Sequence, residues 1–313
     1  MSVKIMKIVR APERICIYEI SSRLQTLSFL NDVETLFVIE KTNIVIDLTK
    51  TDYASAAASL LFFAIINRAY FLSQRNNQIR FLFPKKSDNE KGHRYIIRTG
   101  LARALLANTL EKLDELTSEG AFFQSAVDPD KHTVTTLALL SATANFTKDQ
   151  LYLLSMGIGE AMLNVSHHAY ETVGRSDFTA DLVRLGGKRW WQCSWYDPEE
   201  GKAVFIICDL GIGIAKSYTS LKEGNHGIDE TSLVREALSC GRSKYDGSGR
   251  GNGSEDIKRP VGQGCTENET LLVLSGNSQY YYTSATTEPL CYHLKEYIPG
   301  TLIEWSLVTR GKA

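Results

Sequence analysis

Between Thr147 and Val165 the chain spells one long amphipathic helix. Thr147 followed by Gln150 has the form of a capping box, so the helix starts there. Leu151, Leu154, Ile158, Ala161 and Val165 recur at alternating steps of three and four, the stripe of a helix packed on a core. Such a stripe must lie on another layer, so the surrounding chain has to supply one. Glu160 and Asn164 lie four apart and share a face, with His168 one step further along it. By helical geometry that face sits about a quarter-turn or more from the stripe. A carboxylate, an amide and an imidazole therefore line up beside a buried seam. An isolated E-x-x-x-N is more commonly a solvated helix flank. His168 reads equally as a hydrogen-bonding support and as a polar helix end; His167 reads as neither.

Two downstream elements change that balance. Ile206-Ile207-Cys208-Asp209-Leu210-Gly211-Ile212-Gly213-Ile214 is an apolar strand running into D-x-G-x-G-I. Gly247-Ser248-Gly249-Arg250-Gly251-Asn252-Gly253 is a glycine-rich loop ahead of a helix start at Ser254. Each glycine cluster alone is weak; the three elements in this order are not. Glycine permits close backbone approach and positive φ, and a loop of N–H groups at a helix N-terminus favours anions. Asp209 alone also reads as a residue that caps a turn.

With these residues the stretch from Val134 to Val308 resembles the GHKL ATPase superfamily of gyrase, MutL and histidine-kinase ATP-binding domains. The wording E-A-x-x-N-x-x-x-H-A-Y is closest to the anti-sigma-factor serine kinases. The resemblance implies a Bergerat-type α/β sandwich that binds ATP with Mg²⁺. Asn164 would be the metal ligand, a carbonyl oxygen for a hard cation that keeps most of its waters. Glu160 would act as the general base toward water or a hydroxyl. Asp209 would accept a hydrogen bond from the adenine amino group, beside Gly211 and Gly213. Gly249, Gly251 and Gly253 would cradle phosphate, and Arg242, Lys244 or Arg250 would reach the γ-phosphate from the lid and loop. His168 would be a supporting hydrogen-bonding residue of the nucleotide site or a plain polar helix end. Ser254 stands where many members have an apolar residue, and Val165 where alanine is common; neither change removes a chemical group.

The first half alternates strands and helices, which indicates an α/β layer. Short strands are expected at Ile5–Val9, Ile15–Ile20, Asn43–Leu48 and Gln78–Pro84, and helices at Ser21–Val33, Ala54–Leu72 and Tyr95–Leu116. I-V-I-D-L followed by a helix, then a strand ending in proline, resembles a STAS domain. Phosphoswitch members carry an Asp-Ser pair at the start of that helix; here Ser55 and Ala56 stand there. The resemblance therefore implies a packing or partner-docking module. The expected organisation is a STAS-like domain over 1–118 and a GHKL domain over 134–313, with 119–133 as a polar boundary. In the second half, strands are expected at Phe178–Leu185, Lys188–Tyr196, Ala203–Cys208, Leu271–Leu274, Gln279–Thr283 and Thr301–Val308, and a helix at Ser232–Ser239. Trp190, Trp191 and Trp195 read as sheet packing.

Composition limits the function classes. A net charge of −1 gives no electrostatic reason for nucleic-acid or membrane binding. The longest apolar run, Ser59–Ile66, is too short to span a bilayer, and the N-terminus has no signal-peptide pattern. Six cysteines without C-x-x-C spacing argue against zinc or a disulfide framework and for reduced thiols in a cytoplasmic protein. The expected function is an Mg-ATP-binding switch ATPase whose nucleotide state controls a protein partner. The alternatives are a serine/threonine kinase of the anti-sigma type and a non-hydrolysing ATP-dependent binding module. GHKL domains pair across two-fold axes, so a homodimer is expected.

Overall fold

The structure is a computed structural model that describes residues 6–73, 78–171, 177–197, 199–219, 229–239, 253–262, 269–286 and 288–309. The chain is mixed α/β and divides into two compact units, Met1–Ser125 with Ala180–Gly187, and Ala126–Thr179 with Lys188–Ala313. The division falls within 119–133, but that stretch is not a plain linker. It forms a strand and the start of a helix, whose N-cap Asp128 accepts from the Lys131 N–H and is followed by Pro129 at the first helical position. Among the described residues no helix is long and apolar enough to cross a membrane.

Unit 1 runs β1 (Met6–Arg10), β2 (Arg14–Ile15), α1 (Ile20–Glu34), β3 (Asn43–Asp47), β4 (Tyr53–Ala54), α2 (Ala56–Leu72), β5 (Ile79–Leu82), α3 (Glu90–His93), α4 (Leu101–Leu105) and α5 (Leu110–Ser118). β1, β3 and β5 form a parallel sheet with β3 in the middle, and β2 pairs with β4. α1 and α2 are the two crossovers and lie side by side, Phe29 meeting Phe62 edge-on at 5.3 Å. Two right-handed crossovers in one direction require that arrangement. Beneath them Ile44 and Ile46 are 0 % exposed. α2 is apolar on most of its surface and is buried from Ala57 through Asn67, as expected of a helix packed on more than one side. Its one interior amide, Asn67, is satisfied by donating to the Ala107 carbonyl at 2.8 Å.

The expected strand Ile15–Ile20 ends at Ile15. The buried Arg23 guanidinium takes the carbonyls of Ile17 (2.7 Å) and Tyr18 (3.1 Å), which a strand would have needed for its ladder. The helix expected over Tyr95–Leu116 with Gly100 interrupting it does break there, Gly100 lying at φ 83°, and it opens on a π turn at Arg94–Arg98 that was not expected. Ser55 directly precedes α2 and is buried, and its side chain does not cap the helix.

The chain continues through β6 (Phe123–Ala126), α6 (Pro129–Thr143), α7 (Lys148–Asn164), α8 (Asp177–Arg184), β7 (Trp190–Asp197), β8 (Lys202–Asp209), α9 (Ile214–Thr219), α10 (Glu230–Ala237), α11 (Gly253–Gly262), β9 (Thr270–Thr283) and β10 (Leu290–Val308). Residues 178–185, expected as a strand, lie in and just after α8. In unit 2 the strands run β7-β8-β10-β9, every pairing antiparallel. β9 is one strand where two were expected: Gly276 at φ 57° stays paired with Ile298, and the extra residues of the irregularity there lie on β10, between His293 and Ile298 and between Ile298 and Thr301.

The register fixes which side chains share a face. Asp209 pairs with Trp190 and Thr301, Ile207 with Gln192 and Ile303, and Phe205 with Ser194 and Trp305. That face meets the helices. Trp305 donates its indole N–H to the Ile257 carbonyl of α11 at 2.8 Å, and Gln192 donates to Thr136 of α6 at 2.8 Å. Trp190 and Trp191 are fully buried, so they pack the sheet.

Candidate functional site

α7 begins as its sequence dictates. Thr147 and Gln150 form a reciprocal capping box, and the Gln150 amide also ties to the Val308 carbonyl at 3.0 Å. Leu154, Ile158, Ala161, Met162 and Val165 are buried. Gly157 is where α11 crosses: a Cβ there would lie 3.1 Å from both the Asp256 carbonyl and the Pro260 ring. Gly157, Glu160 and Asn164 fall at i, i+3 and i+7, so the first turn of α11 lies over the face that carries Glu160.

Glu160 is half-buried. Burial raises its carboxyl above the ordinary glutamate value and Asp256 adds to the rise, while His167 and the Asn164 amide pull it down. The Asn164 amide donates to Glu160, which leaves the Asn164 carbonyl oxygen for a hard cation. His168 does not sit on the continued α-helical face. After Asn164 the chain opens into a π turn over Val165–Ala169, so the four-residue step from Asn164 to His168 no longer returns to one side. His167, assigned no role from sequence, is the imidazole whose charge acts on Glu160.

The π turn ends at a junction with the D-x-G-x-G turn. The Ile212 N–H donates to the Ala169 carbonyl at 2.8 Å. A Cβ on Gly211 would stand 2.0 Å from that same oxygen, so only glycine fits. Tyr170, buried, donates its hydroxyl to the Arg189 carbonyl at 2.5 Å and accepts from the Leu210 N–H at 3.4 Å. On the other side of the turn, Ser275 accepts from the Ile214 N–H (2.9 Å) and donates to the Gly300 carbonyl (2.9 Å). Gly213 at φ 83° and Gly300 at φ 69° allow this packing, and a Cβ on Gly300 would lie 2.1 Å from the Asp209 carbonyl.

Asp209 is thereby fixed at the end of β8, on the face that meets the helices, and only 5 % exposed. Burial raises its carboxyl to about 7, although peptide N–H groups of Gly211, Thr301 and Asp209 itself pull the other way. The Gly211 N–H donates to Oδ1 at 2.8 Å. A carboxylate offers about four acceptor sites, so a further donor such as an exocyclic amine has an acceptor to meet. Fit to an ATP–Mg²⁺ pair is thus supported at both ends: an anchored carboxylate for the base and an amide oxygen for the metal.

Gly253 starts α11. Ser254 donates to the Ser239 carbonyl at 3.2 Å and so ties the start of α11 to the end of α10. Glu255 and Asp256 in the first turn are paired with Lys258 (2.5 Å) and Arg259 (2.7 Å), which offsets negative charge at a helix end suited to phosphate. Arg242, Lys244, Gly249, Arg250 and Gly251 lie outside the described residues.

Sequence inspection missed Tyr170, His167, Ser275, Thr301 and Gly300. Tyr170 had a signal, since it closes the quoted motif. Ser275 and Thr301 are small polar residues inside apolar strands, and only the strand register brings them to Asp209. No protein-family model matches the chain, and no curated protein matches it.

Proposed function

We propose that unit 2 is a GHKL-type module that binds ATP with Mg²⁺ and hydrolyses it, and that the nucleotide state controls a protein partner. The observation that carries this is the junction of Ile212 with Ala169. It couples the turn bearing Asp209 to the end of the helix bearing Glu160 and Asn164. Asp209 would accept from the amino group of the base, and Gly211 and Gly213 would let the nucleotide approach the backbone. Asn164 would hold the metal, which when bound offsets phosphate charge. Glu160 is suited to take a proton from an attacking hydroxyl, because a raised carboxyl is a better base than an ordinary one. In the same proposal unit 1 is a STAS-like module, the chain works as a homodimer, and it resides in the cytoplasm, where the free thiols of Cys16, Cys193, Cys208 and Cys291 stay reduced.

The test is phosphate release from γ-labelled Mg-ATP by the purified chain, with nucleotide affinity measured in parallel. Glu160→Ala is expected to keep ATP binding and lose turnover, while Asn164→Ala and Asp209→Asn lose binding. Label on a serine or threonine of an added protein would make the chain a kinase instead. Tight ATP binding with no turnover in the unmutated chain would reduce it to a binding module. No ATP binding would remove the proposal.

A further inference from the structure

Among the described residues, the parallel sheet of unit 1 carries its crossover helices on one face, and the other face holds exposed side chains. Both crossover helices lie over Ile44 and Ile46, so the residues between them point the other way. By register, Ile8 lies beside Val45 and then Arg80, and Arg10 lies beside Asp47 and then Leu82. Ile8 is 59 % exposed and Leu82 46 % exposed, and Val45 between them is half-buried. Parallel sheets are ordinarily buried on both faces, so this face departs from the rule. Its apolar residues form a stripe, Ile8 to Val45 to Leu82, running diagonally across three strands. One exposed arginine flanks each side, Arg10 and Arg80. The one carboxylate of these strands on that face among the described residues, Asp47, is engaged at home, accepting from the Thr49 N–H (3.0 Å) and hydroxyl (2.6 Å).

We propose that this face docks an amphipathic helix of a protein partner, with an apolar stripe set on Ile8, Val45 and Leu82 and acidic residues facing Arg10 and Arg80. The helix completes the missing third layer of the α/β unit. Two features select this occupant over a second copy of the chain. Three strands of about five residues present on the order of 200–300 Å², well short of the roughly 800 Å² per partner of a stable interface. A second copy would also bring its own Arg10 and Arg80 to a face already carrying two arginines, whereas acidic flanks complement it. A helix laid in a shallow apolar track needs only a few anchors at i, i+3, i+4 and i+7.

The experiment uses the full chain and two designed helical peptides with the same leucine stripe, one flanked by glutamates and one by lysines. Binding is read by fluorescence anisotropy. The acidic peptide is expected to bind saturably, and the basic one about tenfold more weakly or worse. Ile8→Ser and Leu82→Ser each reduce acidic-peptide affinity by about tenfold, and Arg10→Glu with Arg80→Glu reverses the peptide preference. Leu24→Ser, an exposed apolar residue on α1, leaves affinity unchanged. Ile8, Leu82 and both arginines are exposed, so these variants fold, which circular dichroism checks. The proposal fails if neither peptide binds, if both bind equally, or if Ile8→Ser has no effect. Sedimentation supplies a separate refutation: self-association abolished by Ile8→Ser would give the face to a second copy.

Discussion

Replacing Asp209 by asparagine separates what burial costs from what the carboxylate contributes. In the folded chain the Asp209 carboxyl is raised to about 7 from an ordinary value of 3.8. A raised folded value means the native state holds a proton that the unfolded state releases. The contribution is therefore fully present below 3.8 and is lost as pH rises through 7. A shift of about three units corresponds to roughly 4 kcal/mol over the whole window. Between pH 5 and pH 8 the wild-type chain should lose roughly 2–3 kcal/mol that the neutral asparagine variant keeps. All four tryptophans (Trp190, Trp191, Trp195 and Trp305) belong to unit 2, so intrinsic fluorescence in a urea titration follows that unit alone. The expected result is a stability difference, variant minus wild type, that grows from pH 5 to pH 7 and levels off by pH 8. A difference that stays constant across that range would refute the assignment of a buried, proton-holding Asp209. With ATP present the same carboxyl predicts tighter binding at pH 8 than at pH 6, because an amine donor prefers the ionised form.

Other perturbations probe the same unit. His132 is 5 % exposed, lies edge-on to Trp190, has no hydrogen-bond partner for Nε2 among the described residues, and is pushed by burial down to about 4. Its contribution is present above the ordinary value near 6.5 and lost as pH falls, so His132→Leu should gain roughly 2 kcal/mol on wild type between pH 7 and pH 5 in the same titration. The Asp209 and His132 effects oppose each other between pH 5 and 6.5, so their contributions largely cancel there and only the variants separate them. Gly211→Ala places a Cβ 2.0 Å from the Ala169 carbonyl, and overpacking of this kind costs about 1–3 kcal/mol. Urea unfolding reads that loss, and calorimetry should show weakened nucleotide binding with it. Trp305→Phe removes the indole N–H donated to the Ile257 carbonyl, at about 0.5–1.5 kcal/mol for one net hydrogen bond; a change in denaturation midpoint without a change in slope is the expected signature.

Local chemistry made part of this structure legible in advance. The capping box at Thr147 and Gln150 forms as written, because both partners lie within four residues of each other. The stripe from Leu154 to Val165 is buried for the same reason: periodicity is a local property that the fold uses directly. The π turn at Val165–Ala169 was not legible. Its carbonyl at Ala169 is claimed by Ile212, more than forty residues away, and nothing in V-S-H-H-A announces that demand. The helix at Asp177–Arg184 had a signal, since Phe178, Leu182 and Leu185 are spaced four and three apart, but its β-branched and aromatic content favoured a strand. Leu271–Leu274 and Gln279–Thr283 were expected as separate strands; they are one strand, because β10 takes up the irregularity opposite Gly276 and β9 runs on through it. Around Asp209 the glycines were readable one by one; the hydroxyls of Tyr170 and Ser275 that hold them are assigned only by tertiary contacts.

The segment Ala180–Gly187 belongs to unit 1 although it follows the first part of unit 2. A ribosome delivers the chain from its N-terminus, so Met1–Ser125 emerges as an unfinished body. Its last piece arrives only after residues 126–187 have been added, a delay of several seconds at about 5–20 residues per second. During that wait the largely apolar α2 is present in a nascent chain whose unit is incomplete. A fragment cut at Ser125 would lack Ala180–Gly187 however long it was given to fold.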